Sequence, residues 1–260
     1  MKKLASIPAF FLLLLFYSCK KSSIEESPIT WELKGSVLLF DEGNSAVDKS
    51  GMEVSIENSN PVISTTTNAS GDFVLKVDAA LESFALVYSK PQFGTFKRYF
   101  TKSASDDLYE LDWDNVKHKT DGTWASLGSK STVTINSLNA SIVGDKLRLT
   151  FNVISPKVNG EKYARFLFQK NLPGISINTV DKTRANWSVV WSVKNGENIM
   201  DLCLKCSAIC DDWAKGDTIY MTAYGDSYYS NMYFDRSANA LILPNLNLNS
   251  NLTSVAVVLP

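Results

Sequence analysis

The sequence predicts an all-β protein made of two tandem β-sandwiches. Three observations predict it. From Leu33 onward, apolar residues recur with a period of two in short runs. Clusters of Gly, Asn, Asp and Ser separate those runs, which is turn chemistry. The pattern then changes character near residue 120, so the chain divides into a shorter and a longer unit. A hydrophobic share of 45% is that of a globular chain. The 26 basic and 27 acidic side chains are too balanced to suggest nucleic acid as a partner.

Before the first strand comes a targeting segment. Lys2 and Lys3 precede an apolar run, Leu4 to Phe16, interrupted only by Ser6 and Pro8. Tyr17-Ser18-Cys19 follow. A basic start, a short apolar stretch and a small residue at the cut make residues 1–18 a secretory signal peptide. The run is shorter than the ~20 residues a spanning helix needs. A cysteine directly after the small residue resembles a bacterial lipoprotein signal. The resemblance implies that Cys19 is lipidated and becomes the first mature residue. Residues 19–32 would then be the lipidated cysteine and a flexible tether, with the protein held on the outer membrane by its acyl chains. The membrane face, surface or periplasmic, is left open. Glu25-Glu26 resemble the acidic export tags of Bacteroidetes surface lipoproteins, and Lys20-Lys21 do not. An ordinary secretory signal with an incidental cysteine is the other reading of these residues.

Residues 33–114 read as the first sandwich. Val37 and Leu39, Val54 and Ile56, Phe73, Leu75 and Val77, then Phe84, Leu86 and Tyr88 each mark one buried face. Asp41-Glu42-Gly43-Asn44 is one turn between these strands. In Asn68-Ala69-Ser70-Gly71-Asp72, Asn can form an Asx turn and Gly accepts positive φ, so a tight hairpin is expected. Several segments resemble the carboxypeptidase regulatory-like domain, a small transthyretin-like sandwich: Gly35-Ser36-Val37, Gly51-Met52-Glu53-Val54-Ser55-Ile56, and Thr65-Thr66-Thr67-Asn68-Ala69-Ser70-Gly71-Asp72-Phe73. Lys90-Pro91-Gln92-Phe93-Gly94 is similar to that family's next turn. The resemblance implies a fold and brings no catalytic residues. Asp106, Asp107, Glu110, Asp112 and Asp114 form an acidic stretch. It reads as solvated residues on the unit's last strand, Leu108 to Trp113, rather than as a calcium loop.

Residues 115–130 are polar and turn-rich and read as a linker. Residues 131–260 read as the second sandwich. Its stripes are Val133 and Ile135; Leu147, Leu149, Phe151 and Val153 after a Gly144-Asp145 turn; Ala164, Phe166 and Phe168; Trp187, Val189, Trp191 and Val193; Ile219, Met221 and Ala223; and Val255, Val257 and Leu259. About seven strands in this length suggest an immunoglobulin-like or fibronectin type III-like sandwich. Trp213-Ala214-Lys215-Gly216-Asp217-Thr218-Ile219-Tyr220 is similar to the fibronectin type III turn into its sixth strand. A second transthyretin-like sandwich is the alternative.

Chemistry-bearing residues are sparse. The best candidate for ligand binding is the segment from Tyr224 to Tyr233. There Tyr224, Tyr228, Tyr229 and Tyr233 mix with Ser, Asn and Gly, the composition of recognition loops. The other reading is a loop whose tyrosines cover the end of the sandwich. Trp187 and Trp191 share their stripe with two valines, which favours core packing over a glycan-stacking platform. Cys203, Cys206 and Cys210 are too few for a closed zinc site without another ligand, and the only histidine, His118, is far away in sequence. Export to an oxidising compartment favours one disulfide among the three and one buried thiol. No nucleophile elbow, phosphate loop or paired-histidine motif is present. The sequence therefore predicts no metal, no cofactor and no catalysis. It suggests a cell-envelope lipoprotein acting as an interaction or structural module, whose partner is an envelope protein or a glycan. The alternatives are a glycan-binding lipoprotein of a nutrient-uptake system and a fimbrial or adhesin subunit.

Overall fold

A computed structural model describes residues 30–78, 80–102, 109–111, 117–118, 123–171, 187–205, 210, 212–249 and 254–260. Its elements are all strands. In chain order the first nine are β1 (Thr30–Phe40), β2 (Glu53–Ile56), β3 (Ser64–Thr66), β4 (Asp72–Asp78), β5 (Ser83–Ser89), β6 (Phe96–Lys102), β7 (Tyr109–Leu111), β8 (Lys117–His118) and β9 (Thr123–Gly128). The rest are β10 (Thr134–Val143), β11 (Lys146–Ile154), β12 (Lys162–Lys170), β13 (Trp187–Val193), β14 (Gly196–Cys203), β15 (Thr218–Asp226), β16 (Tyr233–Asp235), β17 (Ala240–Ile242) and β18 (Val255–Val258).

The first nine strands form two layers. One sheet has the order β4-β1-β9 and the other β3-β2-β5-β6-β7-β8. The period-two residues meet between them. Leu33, Val37 and Leu39 of β1 and Phe73, Leu75 and Val77 of β4 pack with Val54, Leu86, Tyr88 and Phe100 of the other sheet. Burying each such side chain stabilises the fold by about 1.5–3 kcal/mol, and the intervening residues of β4 face solvent.

The second set of strands makes sheets of order β10-β11-β14 and β13-β12-β15-β18. Ile135, Leu149, Phe151, Phe166, Phe168, Met200 and Met221 fill the space between them. Gly144 (φ 63°) and Asp145 close the β10–β11 hairpin, with Val143 opposite Lys146, as the sequence predicts.

Two expectations are corrected. Residues 123–128, assigned to the linker, form β9, which pairs in parallel with β1 from Gly35–Thr123 to Phe40–Gly128. Ala125 and Leu127 join the first core. The short side chains of Ala125, Ser126 and Gly128 hid the alternation. The turn at 68–72 forms as expected: the Asn68 side-chain oxygen accepts from the Ser70 and Asp72 amides at 2.9 Å each, and Gly71 sits at φ 88°. The strands it joins are not partners, however. β3 pairs with β2 and β4 pairs with β1, so the turn carries the chain from one sheet to the other. Turn chemistry fixes the local reversal, and core packing decides which sheet each arm joins. Of the strand expected from Leu108 to Trp113, the described part is β7, paired with β6.

Candidate functional site

The tyrosine-rich segment does not end in a free loop. After β15 the chain leaves the sheets of the second sandwich, touches β15 again at the Asn247–Gly225 bridge and rejoins the sheet at β18. Between them it forms the β16–β17 hairpin and an arm with two turns, residues 243–249. This strap runs along the junction of the two sandwiches and separates the four tyrosines by environment. The Tyr233 ring packs into the first core, edge-on to Phe96 at 5.7 Å. Burial pushes its hydroxyl up to about 12. Tyr224 packs with Leu167, Leu243 and Leu246, where the arm covers the outer face of the second sheet. Tyr229 stacks on Phe40 of β1 at 4.4 Å, and its carbonyl accepts from Ser227 Oγ and Asn245 Nδ2. Tyr228 remains 47% exposed, with its ring against Tyr229 at 5.0 Å and Tyr163 at 5.5 Å.

Polar groups lock the junction. The carboxylate of Glu42, 1% exposed, accepts from the Thr132 amide and from its hydroxyl at 2.7 Å, and Lys157 Nζ lies 3.5 Å away. The Glu42 carbonyl accepts from the Tyr228 amide at 3.0 Å. Next to it, Asp41 accepts from Gly43 and Ser45 and pairs with Lys157 at 3.0 Å. Burial alone would raise the Asp41 pKa. The Ser45 and Gly43 amides and Lys157 outweigh it and hold the carboxyl below the usual carboxylate range. The side chain of Asn231 acts as a substitute strand for the open edge of β9, donating to Ser126 O at 2.6 Å and accepting from Gly128 N at 2.8 Å. Two glycines permit the close approach. A Cβ on Gly94 would meet Pro244 O at 2.3 Å, and one on Gly128 would meet Tyr229 O at 2.8 Å.

At the hairpin, Lys97 of β6 pairs with Asp235 at 2.7 Å and with Glu57. Burial opposes the charge of both Lys97 and Asp235. Their mutual bonds win, with Glu57 helping Lys97, and Ser237 and Ala238 helping Asp235. The lysine is raised above its ordinary range and the aspartate held below its own. Beneath the strap, Arg165 Nε donates to Asp226 at 2.7 Å and its NH1 donates to Ser188 at 2.7 Å. Burial pushes the Asp226 carboxyl up, against the pull of Arg165. This pair is fully enclosed, so its contribution is to orientation more than to net stability.

One exposed feature crosses this junction. The even-numbered residues of β1 face outward from the sheet β4-β1-β9. Leu38 is 41% exposed, and Trp124, opposite Ser36 on β9, is 57% exposed. The register places Trp124 diagonally beside Leu38, and Phe40 is the next outward residue on β1. From Phe40 the line continues through Tyr229 and Tyr228 to Tyr163 on the second sandwich, whose hydroxyl donates to Glu161. Sequence reasoning singled out two members of this strip, Tyr228 and Tyr229. It missed Leu38, Phe40, Trp124 and Tyr163. The available signal was that Leu38 and Phe40 are large apolar residues on the wrong face of a strand whose odd positions fill the core.

The remaining candidates fall elsewhere. Cys19 and Cys206 lie outside the described residues. Cys203 is disulfide-bonded and Cys210 is a buried thiol. Trp191 lies on the core-facing side of β13, opposite Ala164, but β13 is an edge strand and the ring is 41% exposed. The Trp187 side chain lies outside the described residues, as does most of the acidic stretch. The backbone of His118 pairs with Tyr109. Among the described residues, no group of three His, Cys, Asp or Glu side chains is placed to hold a metal ion, and no helix is long and apolar enough to cross a membrane.

No family model matches this sequence, and no curated protein matches it. Solved structures similar to it include a candidate carbohydrate-binding protein from Bacteroides uniformis, at 14% identity and a TM-score of 0.29, covering 88% of this chain and 98% of that one. Another is a DUF3823 family protein from Bacteroides ovatus, at 12% identity and a TM-score of 0.30, covering 89% and 100%. A third is a calcium-stabilised adhesin of an Antarctic bacterium that binds ice, at 14% identity and a TM-score of 0.19, covering 88% and 48%. Likeness at these TM-scores carries no inference about this chain.

Proposed function

We propose that this protein is a non-catalytic interaction module of the cell envelope, anchored on the outer membrane through a lipidated Cys19 and displayed by a short tether. The observation that carries the reading is the junction. Two small sandwiches on a flexible chain would move independently, yet here Glu42, Asp235 and Asn231 bind them into one body, and Asn245 braces Asn231. β1 sets the direction of display. It enters at Thr30, next to the tether, and delivers Phe40 to the junction. Eleven residues at about 3.3 Å each place the junction roughly 35 Å from the tether end. The first sandwich is then a spacer that raises the junction and the second sandwich above the lipid surface.

The finer assignments follow the same reading. The first unit keeps the turn at 68–72 of the carboxypeptidase regulatory-like pattern. The second has its first, second and fifth strands in one sheet and its fourth, third, sixth and seventh in the other. A strand added beside the third, as in variable-type immunoglobulin domains, supports the immunoglobulin/fibronectin III class.

The test is metabolic labelling with a fatty-acid analogue, membrane fractionation and protease shaving of intact cells, run on the wild-type chain and Cys19→Ala. Acyl label and membrane retention in the wild type, both lost in the variant, are expected. An unlabelled wild-type chain found in the soluble fraction would overturn the proposal, and shaving decides the membrane face.

A further inference from the structure

The strip from Trp124 to Tyr163, exposed at Trp124, Leu38 and Tyr228 and half-buried at Phe40, Tyr229 and Tyr163, is an apolar feature that both sandwiches build together. We infer that it is a binding surface for a neutral polysaccharide chain, laid across the junction from β9 to β12. The inference rests on the reading of the protein as a displayed binding module and names its ligand class.

Four observations carry it. The first is shape. Trp124, Leu38, Phe40, Tyr229, Tyr228 and Tyr163 follow one another as neighbours, a track for an extended chain. A protein partner ordinarily needs a broad patch of about 800 Å² on each side. The second is chemistry. None of the six side chains carries a charge, which disfavours nucleic acid and acidic polymers. Aromatic faces suit the apolar C–H faces of sugar rings. Along the strip, Ser36 and Ser126 share the outward face of the sheet with Leu38 and Trp124, and Tyr163 and Glu161 lie at its far end. Hydroxyls that both donate and accept match a ligand built of hydroxyls, and the Glu161 carboxylate accepts.

The third is preorganisation. Phe40, Tyr229, Tyr228 and Tyr163 support one another ring to ring at 4.4, 5.0 and 5.5 Å. The backbone beneath Tyr228 and Tyr229 is held by the Glu42 carbonyl, Ser227 and Asn245. Rings fixed before binding cost little ordering entropy when a ligand arrives. The fourth is continuity. The strip is complete only when the two sandwiches are locked, which gives the buried polar network of the junction a role in recognition. Large apolar side chains left exposed next to one another, as Trp124 and Leu38 are, are themselves a mark of interaction.

The test uses the full-length chain in native gels cast with or without β-glucan, xylan, α-mannan, arabinan or starch, and with heparin and polygalacturonate as charged comparators. The wild type is expected to be retarded by at least one neutral polysaccharide and not by the charged pair. Trp124→Ala and Tyr228→Ala each remove one exposed ring without opening a core. Each is expected to weaken retention by about tenfold, the scale of one lost aromatic contact, with the circular dichroism spectrum unchanged. Trp191→Ala, also exposed but off the strip, should retain fully. No retardation by any neutral polysaccharide, retardation by the charged comparators alone, or equal retardation of wild type, Trp124→Ala and Tyr228→Ala would each overturn the inference. Loss of retention with acylation intact would remove this inference alone. Retention without acylation would remove the membrane display and leave the surface standing.

Discussion

The interior of each sandwich and the junction between them are held by different physics. Inside the second sandwich, Phe151, Phe166, Met200 and Met221 meet as apolar surface, and many side chains of similar volume would serve. At the junction, buried Glu42, Asp235 and Asn245 and half-buried Asn231 each bond to named partners, Thr132, Lys97, Ser227 and Ser126. Apolar burial is non-directional and sets how much each unit gains by folding. Polar burial is directional, and its cost falls on every arrangement but one. The cores therefore make two sandwiches, and the junction makes them one body with one mutual orientation.

Three variants break or sharpen this contrast. The largest effect is expected from Phe166→Ala. Phe166 is fully buried against Phe151 at 4.8 Å, so the cavity should cost about 3–5 kcal/mol in urea unfolding. Because the junction couples the units, amide exchange in β5 of the first sandwich should accelerate together with that in β12. Acceleration confined to the second sandwich would show the units to be independent.

Glu42→Ala comes next. It removes the acceptor of the Thr132 amide and hydroxyl and leaves Lys157 with Asp41 alone. A loss of about 2–4 kcal/mol is expected. The diagnostic outcome is one unfolding transition becoming two, seen by calorimetry. A single transition at unchanged midpoint would show that Glu42 does not couple the units.

The smallest effect belongs to the hairpin clamp of Lys97, Asp235 and Glu57, where Lys97→Met should cost about 1–3 kcal/mol at neutral pH. Its pH dependence follows from the shifts. The Asp235 carboxyl is held low, so its contribution is complete above the unfolded carboxylate range near pH 4 and is lost as pH falls through its lower folded value. The Lys97 ammonium is raised, so its contribution is complete below about pH 10.4 and is lost as pH rises through its higher folded value. The difference in melting temperature between wild type and Lys97→Met should be flat from about pH 5 to 9 and shrink beyond each end. A difference independent of pH would assign the effect to packing of the lysine stem.

The legible and the hidden parts of the sequence divide along the same line. The stripes of β4, β11 and β12 and the turns at 68–72 and 144–145 are written in neighbouring residues, because period-two burial and Asx or glycine turns are local physics. The tyrosine segment is visible as an unusual composition, but not its division into three half-buried rings (Tyr224, Tyr229, Tyr233) and one exposed ring (Tyr228). β9 escaped because Ala125, Ser126 and Gly128 are too small to mark a strand, although Gly128 is small because Tyr229 O passes so close.

By itself, the sequence determined the all-β class, the position of most strands and the character of the turns. Each depends on side chains within a few residues of one another, so composition and spacing suffice. Tertiary structure alone decided that the arms of the 68–72 turn enter opposite sheets, that β9 returns to pair with β1, and that residues 227–249 bind the two sandwiches together. It also decided that Trp124, Leu38 and Tyr228, from three separate segments, share one exposed line. Those outcomes depend on which distant backbone groups find partners and which buried charges are satisfied, and contacts of that kind leave no period in the chain.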